Sequence, residues 1–157
     1  MTAARVIKYL KKEKVKYTIL KHATAYTAQE VAASASIPGD QLAKAVMVKL
    51  DGEMAMAVLS ATCRVNFDHM KKTLGVKKAK LATEKEFTDL LPDCEGGATP
   101  PFGNLYDMKV YLDEALIKQE MIAFSAGSHT ELIQLKSKDF VKLVKPEIFP
   151  CSYKPPE

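Results

Sequence analysis

The chain has 157 residues, 47% hydrophobic and 27% charged, an ordinary globular mixture and long enough for one domain with its own core. No apolar run approaches the roughly 20 residues that span a bilayer, and the opening stretch MTAARVIKYLKKEKVKY lacks the apolar core and cleavage pattern of a signal peptide, so the chain reads as soluble and cytoplasmic, with no membrane partner. A formal charge of +4 and a pI of about 8.8 are compatible with an RNA partner without requiring one.

Residues 3–13 put Val6, Ile7 and Leu10 on one helical face with lysines opposite. YTIL at 17–20 reads as a short strand. Thr27 followed by Glu30 is a capping-box pattern opening a helix to about Ser34, and Pro38 with Gly39 ends that region. QLAKAVMVKL passes from a short helical turn into a strand, and Asp51-Gly52 is a strong hairpin signal between it and EMAMAVLS. Asn66 caps a helix to about Leu74, which Gly75 stops. AKLA at 79–82 reads as a further short strand. Thr83 and Glu86 form a second capping box, on a helix that ends before Pro92. Beyond residue 104 come three strand-like runs at 108–116, 120–127 and 131–137, then a helix near 138–144 and a proline-rich tail expected to be irregular. Hairpins mixed with helices, without regular βαβ alternation, predict an α+β fold with a largely antiparallel or mixed sheet. One domain is expected over 1–145, followed by the tail 146–157.

The densest punctuation lies in EGGATPPFGN, residues 95–104. Gly96, Gly97 and Gly103 permit close backbone approach, while Pro100 and Pro101 stiffen the chain and remove two donors. The loop reads either as a structural corner or as a wall against a ligand. No GxGxxG or GxxxxGK[ST] pattern is present, so it is not a nucleotide fingerprint. Cys63, Cys94 and Cys151 are odd in number and far apart, and His22, His69 and His129 are scattered. No disulfide framework, metal site or cofactor is expected.

Four stretches in order, AYTAQEVAAS at 25–34, QLAKAVMVK at 41–49, GGATPPFG at 96–103 and FSAGSHTELIQLKSKDF at 124–140, resemble the YbaK/ProX family. These are aminoacyl-tRNA deacylases related to the editing insertion of bacterial prolyl-tRNA synthetases. The resemblance covers roughly residues 5–145, with Gly97 and Pro101 matching the family's Gly-x-x-x-Pro loop. It implies a barrel-like sheet of six or seven mixed strands with flanking helices. It also implies a pocket between the Lys44 strand, the glycine-proline loop and the turn of Gly127, Ser128 and His129.

Hydrolysis of an aminoacyl ester passes through a tetrahedral oxyanion, and needs donors for that oxyanion, a placed water and a size-limited pocket. The resemblance assigns catalysis to Lys44, Gly97 and His129, with water rather than an enzyme nucleophile attacking, helped by the ribose hydroxyl of the tRNA. Gly96 and Gly97 would bring backbone N–H groups to the ester, with Pro100 and Pro101 holding that wall rigid. Tyr26, Thr27, Val46, Met47 and Ala126 fall where they would line the amino-acid pocket or equally belong to the core, and Gly127 and Ser128 complete the turn. Lys44 and His129 each have a plain alternative as solvated surface residues. Lys71, Lys72, Lys77, Lys78 and Lys80 form a charge run that is either a solvated face or a patch for tRNA phosphates.

The resemblance implies a free-standing enzyme acting in trans on a mischarged tRNA, Ala-tRNA(Pro) or one carrying another small amino acid. A synthetase pocket rejects a molecule one methylene smaller by only about 1–3 kcal/mol, which is why a second sieve is useful. The expected partner is aminoacyl-tRNA, with a synthetase such as prolyl-tRNA synthetase as a further one. A non-catalytic module that binds tRNA or a synthetase, and a hydrolase for another small acyl ester or amide, are the competing readings.

Overall fold

The computed structural model describes residues 4–25, 28–35, 37–91 and 99–155. Helix α1 (Ala4–Lys12) buries Val6 and Leu10, the stripe read from its periodicity. Strand β1 (Thr18–Lys21) and helix α2 (Ala28–Ser34) follow, and a 3₁₀ turn at Gly39–Gln41 leads into β2 (Leu42–Leu50). Asp51 and Gly52 take φ values of 49° and 86°. Two successive positive values make a type I′ turn, whose twist suits paired strands, and they return the chain into β3 (Glu53–Ser60).

After β4 (Arg64–Val65), Asn66 accepts the His69 N–H at 3.0 Å and starts α3 (Phe67–Leu74), which Gly75 ends at φ 69°. The following segment is tied to the hairpin, because the Asp51 carboxylate accepts the N–H groups of Lys77 and Lys78 at 3.0 and 2.8 Å. It runs into β5 (Ala79–Leu81) and then α4 (Glu84–Phe87). Glu86 accepts both the N–H and the hydroxyl of Thr83 at 2.9 Å and also pairs with Lys49. These contacts, Lys49 foremost, hold its carboxyl down at about 2.

The run at 108–116 divides into β6 (Lys109–Asp113) and a short helix α5 (Glu114–Ile117), where a single strand was expected. The change is local: Asp113 is the last extended residue and Glu114, Ala115 and Leu116 are good helix formers. Next come β7 (Met121–Ser125), β8 (Glu131–Lys136) and α6 (Ser137–Val144). The tail, expected to be irregular, instead carries β9 (Glu147–Phe149) and β10 (Ser152–Tyr153). Pro146 and Pro150 hid them; each proline stands just outside a strand, where its missing N–H costs no ladder bond.

The main sheet is mixed and eight-stranded, in the order β1-β8-β7-β2-β3-β6-β9 with β5 also paired to β2. All seven expected strands are in it, and the eighth is β9 from the tail. The pairs β2–β7, β3–β6 and β6–β9 are parallel and the rest antiparallel. β4 and β10 form a separate two-stranded ribbon. One face of the sheet packs Met56, Val58, Leu112 and Phe124 with Leu10 of α1 and Phe140 of α6. The other packs Val48, Ala57 and Tyr111 with Met70 of α3 and with Phe149 and Cys151 of the tail. This is the α+β fold with flanking helices read from the sequence. Among the described residues no helix is long and apolar enough to cross a membrane.

Two buried features anchor the end of the glycine-proline loop and the tail. Phe102, fully buried, packs edge-on against Phe140 at 5.4 Å and tilted on Phe124 at 5.3 Å, fixing the end of the glycine-proline loop. Next to it Gly103 is needed for packing, since a Cβ there would lie 2.8 Å from Val110 Cγ2. Gly103→Ala should therefore destabilise the fold by about 1–3 kcal/mol through overpacking, read from urea melts. The second feature is Asp113, 3% exposed, whose carboxylate accepts the Cys151 N–H at 3.0 Å and the Ser152 hydroxyl at 2.7 Å. Burial first, then the nearby Asp113 charge, pushes the Cys151 thiol up to about 12. Asp113→Ala orphans a buried N–H and should cost about 1–3 kcal/mol. Cys151 should then become reactive to an alkylating agent under conditions where the wild-type thiol is inert.

Candidate functional site

Strand β2 serves two partners along one edge. Leu42 and Ala43 pair with β7, and Val48, Lys49 and Leu50 pair with β5. The Ala82 N–H donates to Met47 O at 3.0 Å, so the β5 side begins at Met47. At residues 44–46 no described strand pairs with that edge, and the sheet divides. Backbone groups alternate along a strand. Leu42 O faces β3, where it accepts Ala61 N–H, and Met47 O faces β5. Alternation therefore turns the N–H and C=O of Ala45 toward the gap.

Lys44 stands at this division. Its side chain is on the face shared with Val46, and it borders two cavities. One, of about 40 Å³, is lined by Val31, Ala43, Ala45, Thr99 and Ser125 as well as Lys44. The other is a wider cleft of about 450 Å³ between Lys44, Val46, Arg64, Phe67, Leu81 and Tyr153. Lys44 is half-buried, and among the described residues its ammonium makes one long contact, to Ala61 O at 3.5 Å. Burial, reinforced by the positive charge of Arg64 and opposed by Cys63, lowers its pKa below the usual lysine value. A polar turn precedes Arg64. Ser60 Oγ lies 3.0 Å from Thr62 Oγ1 and 3.3 Å from Cys63 Sγ, and Thr62 donates to Asp40.

The turn expected to face Lys44 leaves β7 just beyond the parallel pairing of Ala43 with Phe124, which sets Ser125 level with Lys44. Gly127 takes φ 94°, a conformation that suits glycine. Ser128 is buried, with its hydroxyl 3.5 Å from both N and Oγ1 of Thr130, and His129 is half-buried, its carbonyl accepting Ala25 N–H at 3.2 Å. Ser125, rather than Gly127, Ser128 or His129, lines the small cavity. Pro101 is buried beside Phe102, and Thr99 is the described loop residue that reaches the cavity. Val46 lies in the wider cleft, while Met47 and Ala126 belong to the main core. Tyr26, Thr27, Gly96 and Gly97 lie outside the described residues, as does Cys94.

The lysine run is not uniform. Lys71 pairs with Asp68 at 3.5 Å, one turn before it on α3. Lys72, Lys77, Lys78 and Lys80 are exposed, and Lys80 precedes Leu81, which walls the cleft. Val48, opposite Leu81, is four residues from Lys44, about 13 Å along β2. Sequence reasoning missed the Ala45 backbone, Thr99, Ser125, Arg64 and Tyr153. For Arg64 and Tyr153 the only signal was an isolated cation in CRVNF and an aromatic in the tail; their meeting depends on the β4–β10 ribbon. Among the described residues no cluster of His, Cys, Asp or Glu could hold a metal ion.

Residues 22–143 match the aminoacyl-tRNA editing domain. The chain is 28% identical over 153 residues to the multifunctional Ser/Thr-tRNA deacylase ProXp-y of Escherichia coli strain K12, spanning 94% of this chain and 91% of that one. It is 30% identical over 105 residues to the proline–tRNA ligase of Staphylococcus epidermidis, covering 67% of this chain but 18% of that much longer protein. A crystal structure described as that of a candidate trans-editing enzyme for prolyl tRNA synthetase has the same fold, with a TM-score of 0.82 and 21% identity over 96% of each chain. Motifs in family order, the mixed sheet and the match over most of the length agree: the chain belongs to the aminoacyl-tRNA editing domain family, the YbaK/ProX group its motifs resemble.

Proposed function

We propose that the protein is an aminoacyl-tRNA deacylase acting in trans, hydrolysing the ester of a tRNA mischarged with alanine or another small amino acid. The observation that carries this reading is Lys44, a half-buried cation without a carboxylate partner among the described residues, at the place where the sheet divides and two cavities meet. Charge in such a site acts more strongly on a developing oxyanion than it would in water. The names of the relatives support the same chemistry: one is a Ser/Thr-tRNA deacylase, and another is a ligase in which a similar segment is fused to a synthetase.

In the proposed reaction a water oxygen attacks the ester carbonyl carbon, with Lys44 and backbone N–H groups at the gap stabilising the oxyanion. The bond from the carbonyl carbon to the ribose oxygen then breaks. The ribose oxygen takes a proton, releasing free amino acid and intact tRNA. The small cavity supports a size sieve, because about 40 Å³ is far below the roughly 300–1,000 Å³ of clefts that take whole small molecules. A methyl or hydroxymethyl group suits that space, and a proline ring does not. Gly97 and His129 remain the further catalytic candidates, and Gly96, Pro101, Gly127, Ser128, Tyr26, Thr27 and Val46 the substrate-binding ones. The reading does not require a bound synthetase.

Lys44→Ala should lower single-turnover deacylation by about 10²–10³ while the melting curve stays near wild type. The substrates to compare are alanyl-, seryl-, cysteinyl- and threonyl-tRNA. The useful form of Lys44 is the cation, present below its pKa. Background-corrected rates should therefore fall as pH rises through a value lower than that of a free lysine. Removing the neighbouring charge in Arg64→Ala should move that fall to higher pH. A folded Lys44→Ala protein with normal turnover on its best substrate would overturn the assignment.

Lys72, Lys77, Lys78 and Lys80, with Lys71 held partly by Asp68, are proposed to contact acceptor-stem phosphates. Reversing Lys72, Lys77 and Lys78 to Glu should weaken tRNA binding and reduce the slope of log affinity against log salt by about 0.7–0.9 per lost contact. Unchanged affinity and slope would shift the assignment to the α1 lysines Lys8, Lys11 and Lys12, with Lys14 beyond them.

A further inference from the structure

The wide cleft beside Lys44 has a composition that the deacylation chemistry does not itself demand. Leu81 of β5, 59% exposed, and Tyr153 of β10, 45% exposed, line it together with Phe67 and Val46. Exposed apolar groups that converge on one depression mark a contact surface. Two cations, Lys44 and Arg64, border the same space and oppose each other's charge. Neither makes an ion pair among the described residues, whose carboxylate pairs are Lys49 with Glu86 and Lys71 with Asp68. Two cations unpaired among the described residues, beside an aromatic ring and aliphatic walls, complement a ligand with both a flat apolar face and a negative charge.

We propose that this cleft seats the terminal nucleobase of a single-stranded RNA end, stacked on Tyr153, with its phosphate held by Arg64. The inference rests on the deacylase reading for the identity of the RNA, the 3′ end of a tRNA. Three features favour a nucleotide over an acidic peptide. The volume, about 450 Å³, is in the range of small-ligand clefts and suits a base with its sugar. Base stacking on an aromatic side chain is the common mode of single-strand binding, with cations tracking the backbone. Lys80 adjoins Leu81 and leads from the cleft into the exposed lysines at Lys77 and Lys78. Lys44 forms a wall of both cavities, so a base in the cleft leaves its ribose at Lys44 and the esterified amino acid on the side of Ala45, Thr99 and Ser125. Tyr153 lies outside residues 22–143, so this wall is contributed by the tail beyond the matched domain.

The test uses the full chain and an uncharged acceptor-stem minihelix with a single-stranded 3′ end and 2-aminopurine as its last base. Stacking should quench the 2-aminopurine signal on binding to the wild type. Tyr153→Ala should abolish the quench and weaken binding roughly 5- to 150-fold, while Tyr153→Phe should keep both. Arg64→Ala should retain the quench and lower the salt slope by about 0.7. A minihelix trimmed of its unpaired 3′ end should bind wild type and Tyr153→Ala equally. Equal quench and affinity for wild type and a folded Tyr153→Ala protein would overturn the inference, as would a Tyr153 effect that persists on the trimmed minihelix. Failure of the deacylase reading looks different: no charged tRNA is turned over, whatever the 2-aminopurine signal does.

Discussion

The division of the sheet along β2 is the constraint on which the site depends. A nine-residue strand takes β7 at its start and β5 at its end, and the stretch between them has no strand partner on that edge among the described residues. A strand edge left open in this way must meet its backbone hydrogen-bonding needs by other means. The same division places a lysine where it is walled by protein on several sides yet still reachable. Both cavities follow from it, as does the placing of Ser125 level with Lys44. Among the described residues no carboxylate pairs with that cation.

A lysine half removed from water and facing an arginine is an unfavourable arrangement in isolation. Folded proteins tolerate such local costs where they serve binding or chemistry. Here the cost is compensated by ordinary means elsewhere: continuous apolar packing on both faces of the sheet, a hairpin with a compatible turn, and a buried aspartate that fastens the tail. The tail is thus part of the site's architecture. Asp113 holds Cys151 and Ser152 by direct hydrogen bonds, and the ribbon they begin brings Tyr153 beside Arg64.

What was legible in the sequence was whatever local chemistry decides. Asp51-Gly52, Asn66 with Gly75, and Thr83 with Glu86 each specify a turn or cap through atoms a few residues apart, and each is found as read. The short helix at Glu114–Ile117 was concealed by an apolar run that fits a strand as well as a helix. β9 and β10 were concealed by prolines at their borders and by lengths of three and two residues, too short for any periodic signal. The branching of β2 could not be read locally, because it is decided by which distant strands reach it. Lys44 stood out through a motif, whereas Arg64 and Tyr153 belong to segments about ninety residues apart in the chain and meet only through the ribbon. The lysine run was visible as charge. Its partial neutralisation was also visible in principle, since Asp68 and Lys71 are three residues apart on one helix.

The parallel pairing of β2 with β7 also bears on how the molecule comes into being. The hairpin β2–β3 closes through a two-residue turn and can form early, but Ala43 meets Phe124 only after a loop of roughly eighty residues has closed. On a ribosome making the chain from its amino terminus, Lys44 is present long before the strand that sets one border of its cavity. Tyr153, on the other border, emerges more than a hundred residues after Lys44. A nascent chain therefore carries the lysine without the enclosure that alters its chemistry. The surroundings of Lys44 are therefore complete only once β7 and the β4–β10 ribbon have been made and paired.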